Sequence, residues 1–349
     1  MTNNFKDIRA YRVGAILWLC DFLMAFPILR VWAWRTTKGL RLDYMGDRKA
    51  IEADIRHGAF FMTNHRDIVL DSAWLSFLLR CRYFIRPFIG IGNNLFAYKW
   101  IEILVRFNRC FVVKRGAGAH AQLENSKQLS AYIRSLRAEG KSIWLAQREG
   151  RAKDSNDLTQ ASVLHMLTMD EGMNGLKDER DLFENVKALN ICPVSITYEY
   201  DPCDYLKARE MQLKRDNPRW RKTKADDVES MRTGIEGEKG HVVYRLTPSI
   251  NHDIERMLEK HPDYKGLPIK DQIDHLCFII DQHIFLGYEI FPRGMEFEDY
   301  IESRLAKIDI PNRDEAFLRE RLYEMYKNPE INYNKANKYY EKSNIPGLV

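Results

Sequence analysis

The chain has 349 residues, 45% hydrophobic and 30% charged, with no internal repeat or low-complexity tract. Such a composition excludes the disordered, collagenous and coiled-coil classes and leaves room for one large α/β domain with extensions or two modest ones. A formal charge of +5, dispersed along the chain, argues against a nucleic-acid partner and suits an anionic lipid surface or a phosphate-bearing ligand.

The most apolar stretch is VGAILWLCDFLMAFPILRVWAW, residues 13 to 34, interrupted by Asp21, Pro27 and Arg30. A simple spanning helix needs about 20 largely apolar residues, so these interruptions count against one. Flanking Arg9, Arg12, Arg35, Lys38 and Arg41, with Trp18, Trp32 and Trp34 inside the stretch, fit an interfacial or partly embedded anchor instead. Indole sits well at the headgroup level and arginine pairs with lipid phosphate. The ordinary alternative is a core helix hairpin. No small-x-small cleavage site follows, so no cleaved signal peptide is expected. Residues 1–45 therefore read as an N-terminal membrane-associating helical segment.

From about residue 46 short apolar runs alternate with helical ones. The runs at 58–63, 84–92, 109–114, 141–147, 191–199 and 241–246 have strand length and lack strict alternation, the pattern of strands buried on both faces. Between them, Leu129, Tyr132, Ile133 and Leu136 form a helical stripe that Gly140 stops. The alternation predicts an α/β domain over 46–250 with a mostly parallel central sheet flanked by helices. The charged stretch 207–240 reads as a surface helical insertion. Residues 251–349 read as a helical C-terminal extension, where Ile273, Leu276, Cys277 and Ile280 form one stripe and Leu318, Leu322 and Met325 begin another. His275 and His283, in or just beyond the first stripe, read as structural histidines. The six cysteines, Cys20, Cys81, Cys110, Cys192, Cys203 and Cys277, form no C-x-x-C pair and read as reduced, buried residues, neither disulfides nor zinc ligands.

The chemistry concentrates in FFMTNHRDIVLDSAW, residues 60 to 74. His65-Arg66-Asp67 has the form of a kinase catalytic loop, but that loop needs Asn five residues after its aspartate, and position 72 is Ser. No D-F-G follows, and the G-x-G stretches, Gly90-Ile91-Gly92 and Gly116-Ala117-Gly118, lie downstream of the triplet. The kinase reading fails. A nucleophile motif such as G-x-S-x-G is also missing. A histidine at the end of a buried-type strand has the ordinary pKa best matched to general-base work near neutral pH. A carboxylate on its second nitrogen would fix the tautomer and stabilise the imidazolium. Two candidates exist, Asp71 and Asp67, the latter also suited to a helix start. Six positions along a continuous helix is about 240° of rotation, so a His65–Asp71 pair requires His65 to precede the helix or the turn to contain an extra residue.

Four stretches in order, TNHRDIVLDS (63–72), NRCFVVKRG (108–116), IWLAQREGRAKD (143–154) and NICPVSITY (190–198), make residues 45 to 250 resemble the glycerolipid acyltransferase family, of the bacterial 1-acylglycerol-3-phosphate acyltransferase type. The resemblance implies a glycerol-3-phosphate-acyltransferase-like fold. It also implies transfer of a fatty acyl group from acyl-CoA or acyl carrier protein to a lysophospholipid hydroxyl, with 1-acylglycerol 3-phosphate the first acceptor to consider. His65 would be the base and Asp71 its family-like partner, although the interval is one residue longer than the family's. Arg115 and Arg151 would bind the acceptor phosphate. The third block carries Gln147-Arg148 in place of Phe-Pro, and its arginine follows Gly150 directly, which leaves Arg148 and Lys153 as further phosphate candidates. Glu149 and Gly150 would order that loop. Implied partners are acyl-CoA or acyl carrier protein and a membrane lipid surface at the cytoplasmic face of the cell membrane, with no metal or other cofactor. Alternative readings are the same chemistry on an amino-acid lipid, another lysophospholipid or glycerol 3-phosphate, and a non-catalytic lipid-binding protein of the same fold.

Overall fold

The computed structural model describes residues 26–92, 109–113, 118–169 and 182–343. Seven strands, β1 (Gly39–Tyr44), β2 (Phe60–Thr63), β3 (Phe88–Gly92), β4 (Cys110–Val113), β5 (Ile143–Ala146), β6 (Ile191–Tyr198) and β7 (His241–Leu246), form one sheet. Their spatial order is β1-β7-β6-β2-β5-β3-β4. Every neighbouring pair is parallel except β6 with β7. The C-terminal ends of β2, β5 and β6 therefore open side by side at one edge, where an α/β sheet places its reactive groups.

Among the described residues twelve α-helices surround this sheet: α1 (Phe26–Thr36), α2 (Arg48–Arg56), α3 (Leu70–Tyr83), α4 (Gly118–Ala138), α5 (Ala161–Thr168), α6 (Leu182–Leu189), α7 (Asp204–Asp216), α8 (Lys224–Glu236), α9 (Asn251–Lys260), α10 (Ile269–Leu286), α11 (Glu296–Leu305) and α12 (Glu315–Ser343). Two separate clusters show why the strands read as unbroken apolar runs. Phe60, Met62, Ile143 and Leu145 pack on one face with α4, α5, α6, α9 and α10. Phe61 and Trp144, one position out of step, pack on the other face with Ile51 and Ile55 of α2, Trp74 and Leu75 of α3, and Met231 of α8. A strand covered on both faces has no polar side to show. Each fully buried large apolar side chain contributes about 1.5–3 kcal/mol.

Three sequence expectations change. Residues 39–44, expected inside a helical N-terminal segment, are β1, which pairs with β7 through the whole run Gly39–Tyr44. Leu40 and Leu42 alternate with Arg41 and Asp43 and pack against the core, a period-2 signal. Residues 1–25 lie outside the described part. The charged stretch 207–240 is helical but not wholly superficial. Lys207, Glu210 and Gln212 of α7 are buried, because Lys207 pairs with Asp201 and Glu210 with both Lys153 and Lys214. After residue 250, α9 and α10 are part of the main core: Ile254, Ile273, Leu276 and Ile280 pack in the same cluster as Phe60 and Met62. A third cluster joins α7, α11 and the first turns of α12. His283 is buried, with Nε2 at 2.7 Å from Asp253 Oδ2 and Nδ1 at 3.0 Å from Thr247 Oγ1, and His275 Nδ1 donates to the Asp271 carbonyl at 2.6 Å.

In β3, Gly90 leaves no room for a side chain. A Cβ there would lie 2.7 Å from Leu145 Cδ1 and 2.9 Å from Phe111 Cζ. Gly90→Ala should therefore destabilise the fold by about 1–3 kcal/mol, the usual scale of overpacking, read as a lowered midpoint in urea unfolding. An unchanged midpoint would show that the β3–β5 seam yields easily.

Candidate functional site at the C-terminal edge of the sheet

β2 ends at Thr63, α3 begins at Leu70, and the six residues between them are an irregular loop. That loop resolves the interval between His65 and Asp71. His65 precedes the helix, Asp71 is the second residue of α3, and the loop curls so that His65 Nδ1 lies 2.9 Å from Asp71 Oδ2. The backbone N–H groups of Arg66 and Asp67 donate to the same oxygen at 2.7 and 3.0 Å. The other oxygen, Oδ1, accepts from Tyr198 Oη at 3.3 Å. Asp71 has no solvent exposure. It also lies in the first turn of α3, where the helix dipole favours a negative charge.

Asp67 does different work. Its Oδ1 accepts from the N–H groups of Val69 and Leu70 at 2.8 and 2.7 Å, so it caps the start of α3. Burial, followed by the nearby Asp71, pushes its carboxyl above the ordinary range. Between the two aspartates, it is Asp71 that the fold places on His65.

A second buried carboxylate anchors the loop from behind. Asp157 Oδ2 is 2.7 Å from Arg66 Nη2 and accepts from Asn64 Nδ2 at 3.1 Å and Tyr288 Oη at 2.7 Å. Both sequence neighbours of His65 are thus held by one residue from the segment after β5. Gln147 completes the join: its N–H donates to the Thr63 carbonyl at 2.8 Å, and its Nε2 to the Asp157 carbonyl at 2.5 Å. That segment is fastened in turn to α10, where Asp281 Oδ1 accepts from Thr159 N and Oγ1 at 2.7 and 2.6 Å.

A cavity of about 270 Å³ opens beside His65. One part of its lining is apolar, with Ile68, Ile91, Val113, Trp144, Val163 and Met166, and Trp144 meets the His65 ring edge-on with centroids 6.4 Å apart. The other part is mostly charged, with Arg148, Glu149, Arg151 and Lys153 beside Gly150 in the loop after β5, Lys222 from the α7–α8 connection and Asp227 from the first turn of α8. Among the described residues, His65 Nε2 has no hydrogen-bond partner, so the dyad presents one available nitrogen to this space.

The expected phosphate candidates stand in different surroundings. Arg115 lies outside the described residues. Arg151 is buried; burial alone would lower its guanidinium, but Cys203, Asp67 and Asp201 hold it above its ordinary value. Arg151 Nη1 and Arg148 Nε are buried and lack a hydrogen-bond partner among the described residues. Lys153 is already paired, 3.2 Å from Glu210 Oε2, and burial brings its ammonium down to about 8, with Arg151 and Lys207 adding to the drop. Glu149 offers its backbone to the loop, donating to Gln160 Oε1 at 2.6 Å. Gly150 has φ +71°, a conformation that favours glycine. Among the described residues no group of three His, Cys, Asp or Glu is arranged to hold a metal.

No protein-family model matches the chain, and no curated protein matches it. The site therefore has to be read from its own geometry. Sequence reasoning missed Asn64, which stands next to His65, then Asp157, Tyr288 and Asp281, which reach the site through contacts distant in sequence, and Lys222 and Asp227, which line the cavity. Tyr198 closes the fourth of the runs quoted above, NICPVSITY, and its alternation with Ile196 is the one local sign that it faces α3.

Asp281 gives a pH test of this framework. Burial, with Asp157 adding to it, raises its carboxyl to about 7 despite the two bonds from Thr159. A raised folded-state value means that its contribution to stability is full below the ordinary aspartate range and is lost as pH rises through about 7. Asp281→Asn, which keeps an acceptor and does not titrate, should gain on the unmodified protein by on the order of 4 kcal/mol between pH 4 and pH 8. Paired urea unfolding curves at the two pH values read this directly, and a constant difference between the proteins would refute it.

Proposed function

We propose that the protein is a membrane-associated O-acyltransferase. It moves a fatty acyl group from the thioester of acyl-CoA or acyl carrier protein to the hydroxyl of a lysophospholipid, 1-acylglycerol 3-phosphate being the proposed acceptor. The observation that carries this reading is the His65–Asp71 pair, with its carboxylate buried and its second ring nitrogen available beside a cavity that is part apolar and part cationic. The ordered blocks that resemble the glycerolipid acyltransferases support the same conclusion and its fold.

In the proposed mechanism, His65 Nε2 takes the proton of the acceptor hydroxyl as its oxygen attacks the thioester carbonyl. Asp71 keeps the proton of Nδ1 in place and offsets the charge of the imidazolium. When the C–S bond breaks, the proton passes from His65 to the departing thiolate. No acyl-enzyme is required. Ser72, the hydroxyl beside His65 in the cavity lining, turns its Oγ to the Val69 carbonyl at 3.4 Å. The acceptor phosphate is assigned to Arg148 and Arg151, whose unpartnered nitrogens suit an anionic oxygen.

Membrane association has its own support. No helix among the described residues is long and apolar enough to cross a membrane. However, α1 exposes Ile28, Val31 and Trp34 at 53%, 49% and 80%, with the exposed Arg30 and Arg35 beside them. Apolar insertion flanked by arginine is how a helix lies in an anionic interface, and we assign this face to the cytoplasmic surface of the cell membrane.

His65→Ala should lower acceptor-dependent thiol release from acyl-CoA by at least ~100-fold. Undiminished release would remove His65 from the mechanism, and no release from the unmodified protein with any acceptor would favour lipid binding without catalysis. Replacing Ile28, Val31 and Trp34 with serine should reduce co-sedimentation with anionic vesicles by at least ~10-fold. Equal sedimentation would detach α1 from the membrane.

A further inference from the structure

Asp71 has two oxygens with different duties. Oδ2 receives His65 Nδ1 and two backbone N–H groups from its own loop, whereas Oδ1, among the described residues, receives only the Tyr198 hydroxyl, from β6. We infer that Tyr198 is a positioning residue that tunes the charge on Asp71 and, through it, the basicity of His65. The inference sharpens the site described above. It depends on the acyltransferase reading only for its effect on turnover.

The physical argument starts from burial. Tyr198 is buried, and its ring lies 6.1 Å from that of Trp74 on α3, so the hydroxyl is held beside a carboxylate that water does not reach. A hydrogen bond to a buried charged acceptor is stronger than one between neutral groups. It draws electron density from the carboxylate and weakens its attraction for a proton on His65. Removing the donor should therefore make Asp71 a better partner for imidazolium. The fold also offers a graded comparison. Tyr244 on β7 is buried too; its hydroxyl donates to the backbone carbonyls of Leu70 and Asp71 at 3.2 Å each and meets the Tyr198 hydroxyl, so it reaches the Oδ1 side of the carboxylate only through Tyr198.

The other charged or titratable groups around the pair are Arg66 and Asp67 in the same loop, Arg148, Glu149, Arg151 and Lys153 after β5, Lys222 and Asp227 on the α7–α8 side, and Tyr244 on β7. Of these only Tyr244 is altered below, as the comparison, so a larger shift in the Tyr198 variants would belong to the Tyr198 contact.

The test is an NMR titration of the His65 ring in the full chain, its resonance assigned as the one that disappears in His65→Gln. Tyr198→Phe should raise the midpoint by about half a pKa unit or more. 3-Fluorotyrosine introduced at position 198 alone, a stronger hydrogen-bond donor of nearly the same shape, should lower it. Tyr244→Phe, which touches the carboxylate only through Tyr198, should move it less than Tyr198→Phe does. If Tyr198→Phe does not fold, the fluorinated variant decides the matter by itself. An unmoved midpoint in the Tyr198 variants, or a shift in Tyr244→Phe as large as that in Tyr198→Phe, would overturn the inference. The titration needs no turnover, so a protein that transfers no acyl group would refute the proposed function while leaving this result readable.

Discussion

A carboxylate without solvent contact has to find all its donors within the fold, and the arrangement around Asp71 follows from that requirement. Among the described residues, three of its four donors come from residues 65 to 67. To bring all three to one oxygen, the chain must leave β2, turn back over the first turn of α3 and hold the His65 ring in a fixed orientation. The position of His65 is thus a by-product of satisfying Asp71. The fourth donor, Tyr198, comes from β6, so the site also requires β2 and β6 to be adjacent, which their pairing from Phe60 to Thr63 ensures.

Asp157 imposes the same requirement one layer below. Its partners, Asn64, Arg66 and Tyr288, come from the loop after β2 and from the chain just past α10. Leaving a buried charge such as Arg66 without its partner typically costs 3–5 kcal/mol, so this contact constrains the loop more firmly than an exposed ion pair worth about 0–1 kcal/mol. The helices after residue 250 take part in it through Tyr288 and Asp281, which explains physically why a segment with no evident chemistry is packed into the main core.

Six of the seven strands were legible because strands covered on both faces produce apolar runs that stand out against charged helices. β1 was obscured by the stronger apolar signal just before it, although Leu40 and Leu42 alternate correctly with Arg41 and Asp43. At the candidate site, residue types were legible and partners were not. Whether Asp67 or Asp71 meets His65 depends on the path of a six-residue loop, which spacing alone does not determine. Asp157 and Tyr288 are 131 positions apart, and no local pattern announces a contact over that distance. The burial of Lys207 was hidden for the opposite reason: a charged helix reads as exposed until its partners, here Asp201 and the Arg66 carbonyl, are known.

The cationic side of the cavity is less uniform than its composition suggests. Lys153 answers Glu210 and Lys222 answers Asp227 at 2.8 Å, so an incoming anion would have to compete with a carboxylate for either lysine. Arg148 and Arg151 each retain a buried N–H without a partner, and a buried donor left unsatisfied costs about 1–3 kcal/mol. An anionic oxygen bound there would recover that cost at once, while one bound at the lysines would first have to break an ion pair. Under the proposed function, the two arginines would then take the acceptor phosphate and the lysine–carboxylate pairs would fix the walls around it.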